Sequence, residues 1–411
     1  MKATVHIEKL VHRGYGLGRL PGGKVVLVPY TAPGEEADIR VVLDKRSLAF
    51  GELLEVRRPS PARRPAPCPY FGRCGGCQLM HLDYACQLEC KRRIAGELLR
   101  REVLPGVPGG LELGYRRRVR LHVTPDGSGL GFMHQYTNKI VEIQDCLLCH
   151  DSIRRIFPWL IEWLLPEATR GGARLREIEL VAGDSAGPAL RLHPAAPLLP
   201  ILAKRLQAAC PVPLSVAGPG EEWTTLEMAL GPYRYAVAAG SFFQANPAAV
   251  AEVFRSGRLA LPPESRLLEL YAGMGLFTVH FAASAAAVLA VERDARAVRL
   301  FRENLGLNQV DNVELVEAEV EDWLRRSFAR GRFEAVFVDP PRTGLSPAVR
   351  RSLGEAGFRQ LLYLSCDPAT QARDLAEILS RDRHRPVMVT FFDFFPNTFH
   401  LETLACVHGS D

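Results

Sequence analysis

A thiol at the end of an apolar strand is the residue of this sequence that is best placed for nucleophilic chemistry. Four mostly apolar residues, 361–364, predict a buried strand, and Cys366 follows them just before a predicted helix. In an open α/β sheet, ligands bind beyond the carboxyl ends of the strands. A thiol near a helix N-terminus can have its pKa lowered and become nucleophilic. The alternative is a cysteine that packs as a small hydrophobe, and the local sequence does not decide between the two.

A second group of thiols has the spacing of a metal site. Cys68, Cys74 and Cys77 follow the pattern Cys-x5-Cys-x2-Cys, and two glycines between the last two let the backbone wrap closely around one centre. Thiolate-only sites hold zinc or an iron–sulfur cluster, and the spacing does not separate these alternatives. A closed site needs a fourth ligand, for which the candidates are Cys86, Cys90, Cys146 and Cys149.

A glycine turn indicates where a nucleotide-like ligand would bind. Gly273 and Gly275 follow an apolar strand that begins at Arg266, and they precede a predicted helix. The turn lacks the third glycine of a dinucleotide fingerprint, and the carboxylate of Glu292 at the end of the next strand suits a ribose diol. These features favour S-adenosylmethionine over a dinucleotide. The alternative is that they are ordinary turns of a sheet.

Strands and helices must alternate if these residues are to meet. Beyond residue 240, strands are predicted to begin at residues 266, 287, 313, 333 and 361, with helical segments between them. This alternation is typical of a doubly wound α/β sheet, so we assign 240–411 to a Rossmann-like domain. Each strand ends in a polar residue or a glycine turn. We therefore expect Gly273, Glu292, Asp339 and Cys366 on one edge of the sheet.

Two smaller units are predicted before this domain. Short alternating strands with Gly/Pro turns over 1–58 predict an OB-like β-barrel, a fold that commonly binds oligonucleotides. Residues 59–239 are assigned to a central α+β domain that contains the clustered cysteines and one apolar helix over 153–165. This domain also has an amphipathic helix over 83–101, for which packing on the last domain is an option.

Composition and charge restrict the class of protein. The 411 residues are 47% hydrophobic and 24% charged, which is ordinary for a globular protein of two or three domains. The net charge of +5 permits a nucleic-acid partner without requiring one. No apolar run is long enough to span a bilayer, and no signal peptide is visible. We expect a cytoplasmic monomer whose ten cysteines serve metal binding or catalysis rather than disulfides.

Five motifs give the sequence a specific family resemblance. They come in the order found in RNA 5-methyluridine methyltransferases, and the cysteine cluster and N-terminal barrel resemble the branch that modifies 23S ribosomal RNA. The segments Gly16–Arg19 and Pro33–Glu35 resemble a TRAM domain, which is an RNA-binding barrel. The five motifs are Ser241–Pro247 (SFFQANP), Glu269–Thr278 (ELYAGMGLFT), Asp339–Gly344 (DPPRTG), Ser365–Thr370 (SCDPAT) and Phe395–Glu402 (FPNTFHLE).

The resemblance implies S-adenosylmethionine-dependent methylation of carbon 5 of a uridine in 23S ribosomal RNA. Cys366 is implied as the nucleophile and Glu402 as the base that removes the carbon-5 proton, with His400 either supporting Glu402 or simply packed. Leu276 stands where the family often has Asn, so the backbone must serve there. By resemblance, Gln244, Tyr271, Glu292 and Asp339 hold the cofactor or the target uracil, Phe242 stacks on the flipped base, and Glu319 contacts the adenine.

The resemblance also implies a [4Fe–4S] cluster. Its ligands would be Cys68, Cys74, Cys77 and Cys146, the last preferred over Cys149 because it follows an acidic strand end. Since methyl transfer needs no electron, we expect the cluster to have a structural or RNA-binding role.

Other functions remain open at this point. The same chemistry could act on the T-loop of transfer RNA, or on carbon 5 of a cytosine. A different class is an RNA-binding or redox-sensing iron–sulfur protein without catalysis, but that function gives no reason for Cys366 and Glu402 to occur together.

Overall fold

Three β-sheets and a hairpin organise the chain in the computed structural model. It describes residues 1–135, 137–184, 187–217, 224–327, 333–356, 358–380 and 387–409. Along the chain, the sheets are a closed five-stranded barrel, a six-stranded sheet and an eight-stranded sheet. Within these described ranges, no helix combines the length and the apolar character that crossing a bilayer requires.

The barrel is built from short strands with alternating side chains. Val5 and Ile7 on the first strand, and Val26 and Val28 on the third, are buried in its interior, while their neighbours face outward. The strands close in the order β1-β2-β3-β5-β4, which confirms the predicted barrel. A single 3₁₀ turn, His12–Gly14, joins the first two strands. The strands are β1 (Lys2–Val11), β2 (Tyr15–Arg19), β3 (Val25–Pro29), β4 (Glu36–Asp44) and β5 (Leu48–Arg58).

After the barrel, the chain forms one helix that packs beside the eight-stranded sheet and one strand that belongs to it. Helix α1 (Tyr84–Leu99) begins after Asp83, whose carboxylate accepts a hydrogen bond from the backbone amide of Cys86. The following strand, β6 (Val103–Val107), pairs in parallel with a strand near residue 390. Both elements therefore pack with the part of the chain beyond residue 240.

A buried ion pair fixes helix α1 in this position. The Lys91 ammonium lies 2.7 Å from a carboxylate oxygen of Asp393 and 2.9 Å from the carbonyl oxygen of Phe395. Both charged side chains are almost completely buried. Removing one partner would leave an uncompensated buried charge, so the pair holds the helix against the segment around residue 395.

The six-stranded sheet has one apolar face covered by helices. Its order is β12-β11-β10-β7-β8-β9. The elements are β7 (Arg118–Val123), β8 (Leu130–Met133), β9 (Ile140–Glu142), α2 (Asp151–Arg154), α3 (Phe157–Trp159), α4 (Leu165–Arg170), β10 (Leu175–Ala182), β11 (Pro188–Pro194), α5 (Pro200–Ala209) and β12 (Leu214–Val216).

The apolar helix predicted over 153–165 is present but irregular, with a turn at 155–156 and a π-helical turn. The structure divides this stretch into α2, α3, a π-helical turn (Leu160–Leu164) and α4. Pro158 and Pro166 have no amide hydrogen to donate, so the regular pattern of helical hydrogen bonds cannot continue through them.

The eight-stranded sheet confirms the predicted doubly wound architecture. Its order is β17-β16-β15-β18-β19-β21-β20-β6; the first five strands are parallel, and β21 is antiparallel to both neighbours. The strands β13 (Thr225–Leu230) and β14 (Tyr233–Ala238) form a separate hairpin before this sheet. The helices and strands that follow the hairpin are α6 (Pro247–Arg255), β15 (Arg266–Leu270), α7 (Leu276–Ala282), β16 (Ala287–Glu292), α8 (Ala295–Leu307), β17 (Val313–Glu317), α9 (Val320–Ser327), β18 (Ala335–Val338), α10 (Pro347–Glu355), β19 (Gln360–Ser365), α11 (Pro368–Ile378), β20 (Val387–Phe392) and β21 (Glu402–His408).

Both faces of this sheet are buried. Leu267 and Leu268, which are neighbours on β15, belong to two different hydrophobic cores. Met228 and Tyr235 of the β13–β14 hairpin belong to the same core as Leu267. The hairpin precedes residue 239, as do α1 and β6. The division of the chain into domains at 58 and 239 stays a prediction.

Candidate active site

The ends of five parallel strands open into one cavity of about 1020 Å³, called the large cavity below. Nine of the ten residues predicted for catalysis, cofactor and substrate line it, and Gly275 does not. These nine are Phe242, Gln244, Tyr271, Gly273, Glu292, Glu319, Asp339, Cys366 and Glu402. Parallel strands bring their carboxyl ends to one edge of a sheet, so residues far apart in sequence share this wall.

The two glycines of the turn after β15 have different structural roles. The amide of Gly273 donates a 2.8 Å hydrogen bond to a carboxylate oxygen of Glu292, which connects the turn to the end of β16. Gly275 has a φ of 80°, and a Cβ there would lie 2.4 Å from the ring of Phe301. Only glycine fits that position without strain. Gly275 therefore shapes the start of α7, and its contact with a cofactor stays a prediction.

Two carboxylates lie where β16 and β17 end, Glu292 as the last residue of β16 and Glu319 two residues after β17. The other carboxylate oxygen of Glu292 accepts hydrogen bonds of 2.8 Å from the backbone amides of Arg293 and Asp294. Three amides thus hold the Glu292 side chain. Glu319 is half exposed and accepts a 3.1 Å hydrogen bond from the guanidinium of Arg293, so it lies at the rim of the large cavity.

Two acidic side chains line the large cavity close to Cys366. Glu402 is buried, and one of its carboxylate oxygens has no hydrogen-bond partner among the described residues. Burial raises the pKa of Glu402 well above its usual range, with Asp339 adding to the effect and Arg342 opposing it. Burial likewise raises the pKa of Asp339 to about 7, against a hydrogen bond from Gln244 that lowers it. Glu402 therefore favours the protonated state, whereas Asp339 titrates near neutral pH.

The pKa of Cys366 moves in the direction opposite to the prediction. Burial and then the nearby Glu402 raise it to about 12, and Arg342 only partly offsets this. The helix N-terminus does not lower it because Asp367 caps α11. The Asp367 carboxylate accepts hydrogen bonds of 3.0 and 3.1 Å from the free amides of Ala369 and Thr370. The thiol therefore requires an additional positive charge or a base before it can act as a nucleophile.

Register places the thiol and the buried carboxylate on adjacent strands. Ser365, the last residue of β19, pairs with Thr403 of the antiparallel strand β21. Cys366 follows Ser365, and Glu402 precedes Thr403. The two functional groups are therefore side by side at the same edge of the sheet.

An aromatic side chain stands open at the mouth of the cavity. Phe242 is 63% exposed, which is unusual for a large apolar residue next to a cavity. The guanidinium of Arg118 on β7 lies 5.7 Å from the centre of its ring. The central sheet thus contributes a cation to the same entrance.

Sequence reasoning assigned no role to Arg342. Its guanidinium lines the large cavity, lowers the pKa of both Cys366 and Glu402, and donates a 3.0 Å hydrogen bond to a ring nitrogen of His400. Burial lowers the pKa of His400 to about 3, with Arg342 lowering it further, so the ring is a neutral acceptor. The signal was available, because Arg342 lies within DPPRTG three residues after Asp339.

The clustered cysteines face a separate small cavity, called the thiol cavity below. It is lined by Cys68, Cys74, Cys77 and Cys146, together with Arg116. The other candidate ligands lie elsewhere. Cys149 is fully buried beside Cys146, and Cys86 and Cys90 have their sulfur atoms 3.8 Å apart on helix α1.

No three side chains among His, Cys, Asp and Glu are close enough together to hold one metal ion in the part of the chain that is described. The loop that carries Cys74 is nevertheless fixed. The Gly75 amide donates a 2.9 Å hydrogen bond to the Met133 carbonyl, and a Cβ on Gly75 would lie 2.7 Å from that oxygen.

Comparison with known proteins places the whole chain in one family. Residues 223–408 match the tRNA (uracil-5-)-methyltransferase family, and residues 2–54 match the TRAM domain. A Thermotoga maritima protein named "uncharacterized RNA methyltransferase" is 31% identical, with all of both chains covered. A Vibrio cholerae protein named 23S rRNA (uracil(1939)-C(5))-methyltransferase RlmD is 33% identical, covering 98% of this chain and 94% of its own.

A solved structure agrees over nearly the same extent. The crystal structure of Pyrococcus abyssi tRNA (uracil-54, C5)-methyltransferase in complex with S-adenosyl-L-homocysteine superposes with a TM-score of 0.78 at 26% identity. It covers 98% of this chain and 99% of its own. The predicted resemblance is thereby confirmed: the chain is an enzyme of the tRNA (uracil-5-)-methyltransferase family, with a TRAM domain at its N-terminal side.

Proposed function

We propose that this enzyme transfers a methyl group from S-adenosylmethionine to carbon 5 of a uridine in 23S ribosomal RNA. The observation that carries the proposal is the shared cavity, which Cys366 and Glu402 line side by side and which the exposed ring of Phe242 also lines. The name of the Vibrio cholerae relative supports ribosomal RNA as the substrate. The name of the Pyrococcus abyssi structure supports transfer RNA as the alternative.

The chemistry explains why a thiol and a carboxylate are both needed. Carbon 5 of uracil is a poor nucleophile until the sulfur of Cys366 adds to carbon 6 and the ring electrons move to the carbonyl oxygen as an enolate. Carbon 5 then attacks the methyl carbon, whose bond to the sulfonium sulfur breaks, so that S-adenosylhomocysteine leaves as a neutral thioether. Glu402 removes the proton from carbon 5, the 5,6 double bond forms again, and the thiolate leaves. The thiol is regenerated after each turnover.

The residues of the large cavity suit S-adenosylmethionine. This cofactor supplies an electrophilic methyl group on a positively charged sulfur. Asp339 and Glu402 have raised pKa values, and one oxygen of Glu402 has no partner among the described residues, so a cation bound here would stabilise both carboxylates. The residues that we propose to hold the cofactor or the target uracil are Gln244, Tyr271, Gly273, Glu292, Glu319 and Asp339, with Gly275 shaping the turn.

Positive charge in the large cavity would also prepare the nucleophile. A nearby cation lowers the pKa of a thiol and of a carboxyl group, and Arg342 already acts on Cys366 and Glu402 in this sense. A cationic ligand would add to the effect of Arg342. Cys366 then loses its proton only when the site is loaded, which protects the thiol from side reactions.

Phe242 is proposed to stack on the target base. A base inside a helix cannot reach a buried thiol, so the enzyme must take it out of the stack, and an aromatic face stabilises the flipped base. The exposed ring and the Arg118 guanidinium beside it provide such a face.

The substrate can be tested by methylating defined RNAs in vitro. We expect the purified enzyme to methylate a 23S ribosomal RNA transcript at carbon 5 of one uridine, and mass mapping of nuclease fragments will give the position. A transcript of transfer RNA should remain unmodified under the same conditions. Methylation of the transfer RNA alone would replace the ribosomal substrate with the alternative, and methylated cytosine would overturn the choice of base.

The thiol cavity is proposed to hold a [4Fe–4S] cluster on Cys68, Cys74, Cys77 and Cys146. The thiolates of a single zinc ion lie within about 4 Å of one another because each is about 2.3 Å from the metal. In a four-iron cluster each thiolate binds a different iron, so the sulfur atoms lie farther apart. Four thiols that line one cavity offer one ligand for each iron of such a cluster, which supports the proposal.

Metal analysis after anaerobic purification tests this site. We expect about four iron and four sulfide per chain, with the brown colour of an iron–sulfur protein. Changing Cys77 or Cys146 to alanine should remove the colour and most of the iron. The matched control is Cys86→Ala on helix α1, which should retain both. One zinc per chain in the unchanged enzyme would contradict the proposal.

A further inference from the structure

A second cleft adjoins the large cavity and shares two of its wall residues. Its volume is about 290 Å³, and Cys366 and Arg342 line both spaces. The proposed nucleophile thus stands between two openings. The large cavity accounts for a cofactor and a target base, whereas the second cleft has no part in that chemistry.

Three separate parts of the chain form the second cleft. The 3₁₀ turn of the barrel contributes His12 and Arg13, the central sheet contributes Gln135, and the catalytic side contributes Phe399. The barrel turn is firmly seated against this side, because the His12 ring meets the Phe399 ring edge-on at 6.0 Å. The barrel therefore forms a wall beside the reactive thiol.

The backbone of the barrel turn is strained at the cleft. Arg13 has a φ of 68°, which is the left-handed region that favours glycine. The next residue, Gly14, also has a positive φ, and a Cβ there would lie 3.1 Å from Gln78 and 3.6 Å from Phe399. Non-glycine residues retain such conformations where their surroundings require them, often at functional sites. The Arg13 side chain itself is exposed and lines the second cleft.

The chemistry of the second cleft suits a nucleotide. Aromatic faces are supplied by Tyr15, Phe399 and His400, and guanidinium groups by Arg13 and Arg342. Unpaired RNA is recognised by bases that stack on aromatic side chains and by phosphates that meet arginine. Asp367 is the acidic residue of the lining, and its carboxylate is engaged by the backbone amides of α11.

We propose that the second cleft binds a nucleotide adjacent to the target uridine. This inference rests on the proposed function, because the target base must enter the large cavity beside Cys366. An adjacent nucleotide of the same strand then lies on the other side of that residue. Its base stacks in the aromatic part of the cleft, and Arg13 contacts its phosphate. The barrel thus selects the bases that flank the target, in addition to any general attraction to RNA.

Two variants and a modified RNA test the subsite. Arg13→Gly removes the guanidinium and relieves the backbone strain, so the melting temperature should stay the same or rise. KM for RNA should rise about tenfold, and the slope of log affinity against log salt should fall by about 0.7, as expected for one lost phosphate contact. The matched control is Arg46→Gly, an exposed arginine of the barrel outside the cleft, for which both values should stay unchanged.

A double-mutant cycle tests the stacking. Removing the base next to the target uridine should lower kcat/KM of the unchanged enzyme about tenfold on one of its two sides. In the variant Phe399→Leu, the same abasic RNA should lower kcat/KM little further, because the abasic site and the substitution remove the same stacking interaction. If the unchanged enzyme methylates RNA while Arg13→Gly behaves like Arg46→Gly and both abasic RNAs react normally, the subsite is wrong and the proposed function stands. If no RNA is methylated, both fail together.

Discussion

Changing Cys366 to alanine is expected to lower kcat for methyl transfer by about four orders of magnitude or more. Without the sulfur, carbon 5 of uracil is never activated, and the other residues of the cavity cannot substitute for a covalent bond to carbon 6. Cys366 lies just beyond the last residue of β19, so its replacement changes no strand residue and the sheet should fold normally. Transfer of a radioactive methyl group to RNA measures the activity, and calorimetry should show unchanged affinity for S-adenosylmethionine.

A second cysteine controls for loss of any thiol. Cys210, which follows helix α5, is half-buried and lines neither the large cavity nor the second cleft. Cys210→Ala should therefore retain nearly full activity. Substantial turnover by Cys366→Ala would show that carbon 5 is activated in another way, and the covalent mechanism would have to be abandoned.

Changing Glu402 to glutamine should stop the reaction after methyl transfer rather than before it. The amide has nearly the same shape as the carboxyl group but cannot accept the proton from carbon 5. The thiolate then cannot leave, so methylated RNA stays attached to Cys366. We expect a band of RNA-linked protein that survives denaturing electrophoresis, and a fall in kcat of about a hundredfold to ten thousandfold.

The double variant Cys366→Ala/Glu402→Gln is the control, because it has no sulfur to form the adduct. It should give no RNA-linked band under the same conditions. Release of free methylated RNA by Glu402→Gln at the normal rate would mean that another group is the base. Asp339, whose pKa of about 7 suits proton transfer, would then be the next candidate.

The place of the site could be predicted from sequence because its residues follow strand ends. A buried strand followed by a glycine, a carboxylate or a thiol is a local pattern, and parallel strands bring these ends together. Glycine turns and alternating residues made the barrel predictable in the same way. Local patterns thus decided the sheet edge on which Gly273, Glu292, Asp339 and Cys366 lie.

The properties of the site depend on contacts that a local pattern does not contain. The predicted lowering of the Cys366 pKa was wrong for two reasons. Glu402, 36 positions later, adds to the increase that burial causes, and the Asp367 carboxylate occupies the amides at the helix N-terminus. The docking of the barrel turn at the second cleft requires knowing how two units pack. The buried pair of Lys91 and Asp393 likewise joins residues about 300 positions apart.

The order of strands in the eight-stranded sheet has a consequence for protein synthesis. Strand β21 follows β20 in the chain but lies between β19 and β20 in the sheet. A nascent chain that ends before residue 402 already contains the glycine turn and Cys366. It lacks β21, which is the strand that carries Glu402 and lies between β19 and β20. According to the proposed mechanism, such a chain could attach to RNA and could not detach. Late entry of β21 therefore means that the sheet closes and turnover becomes possible in a single event.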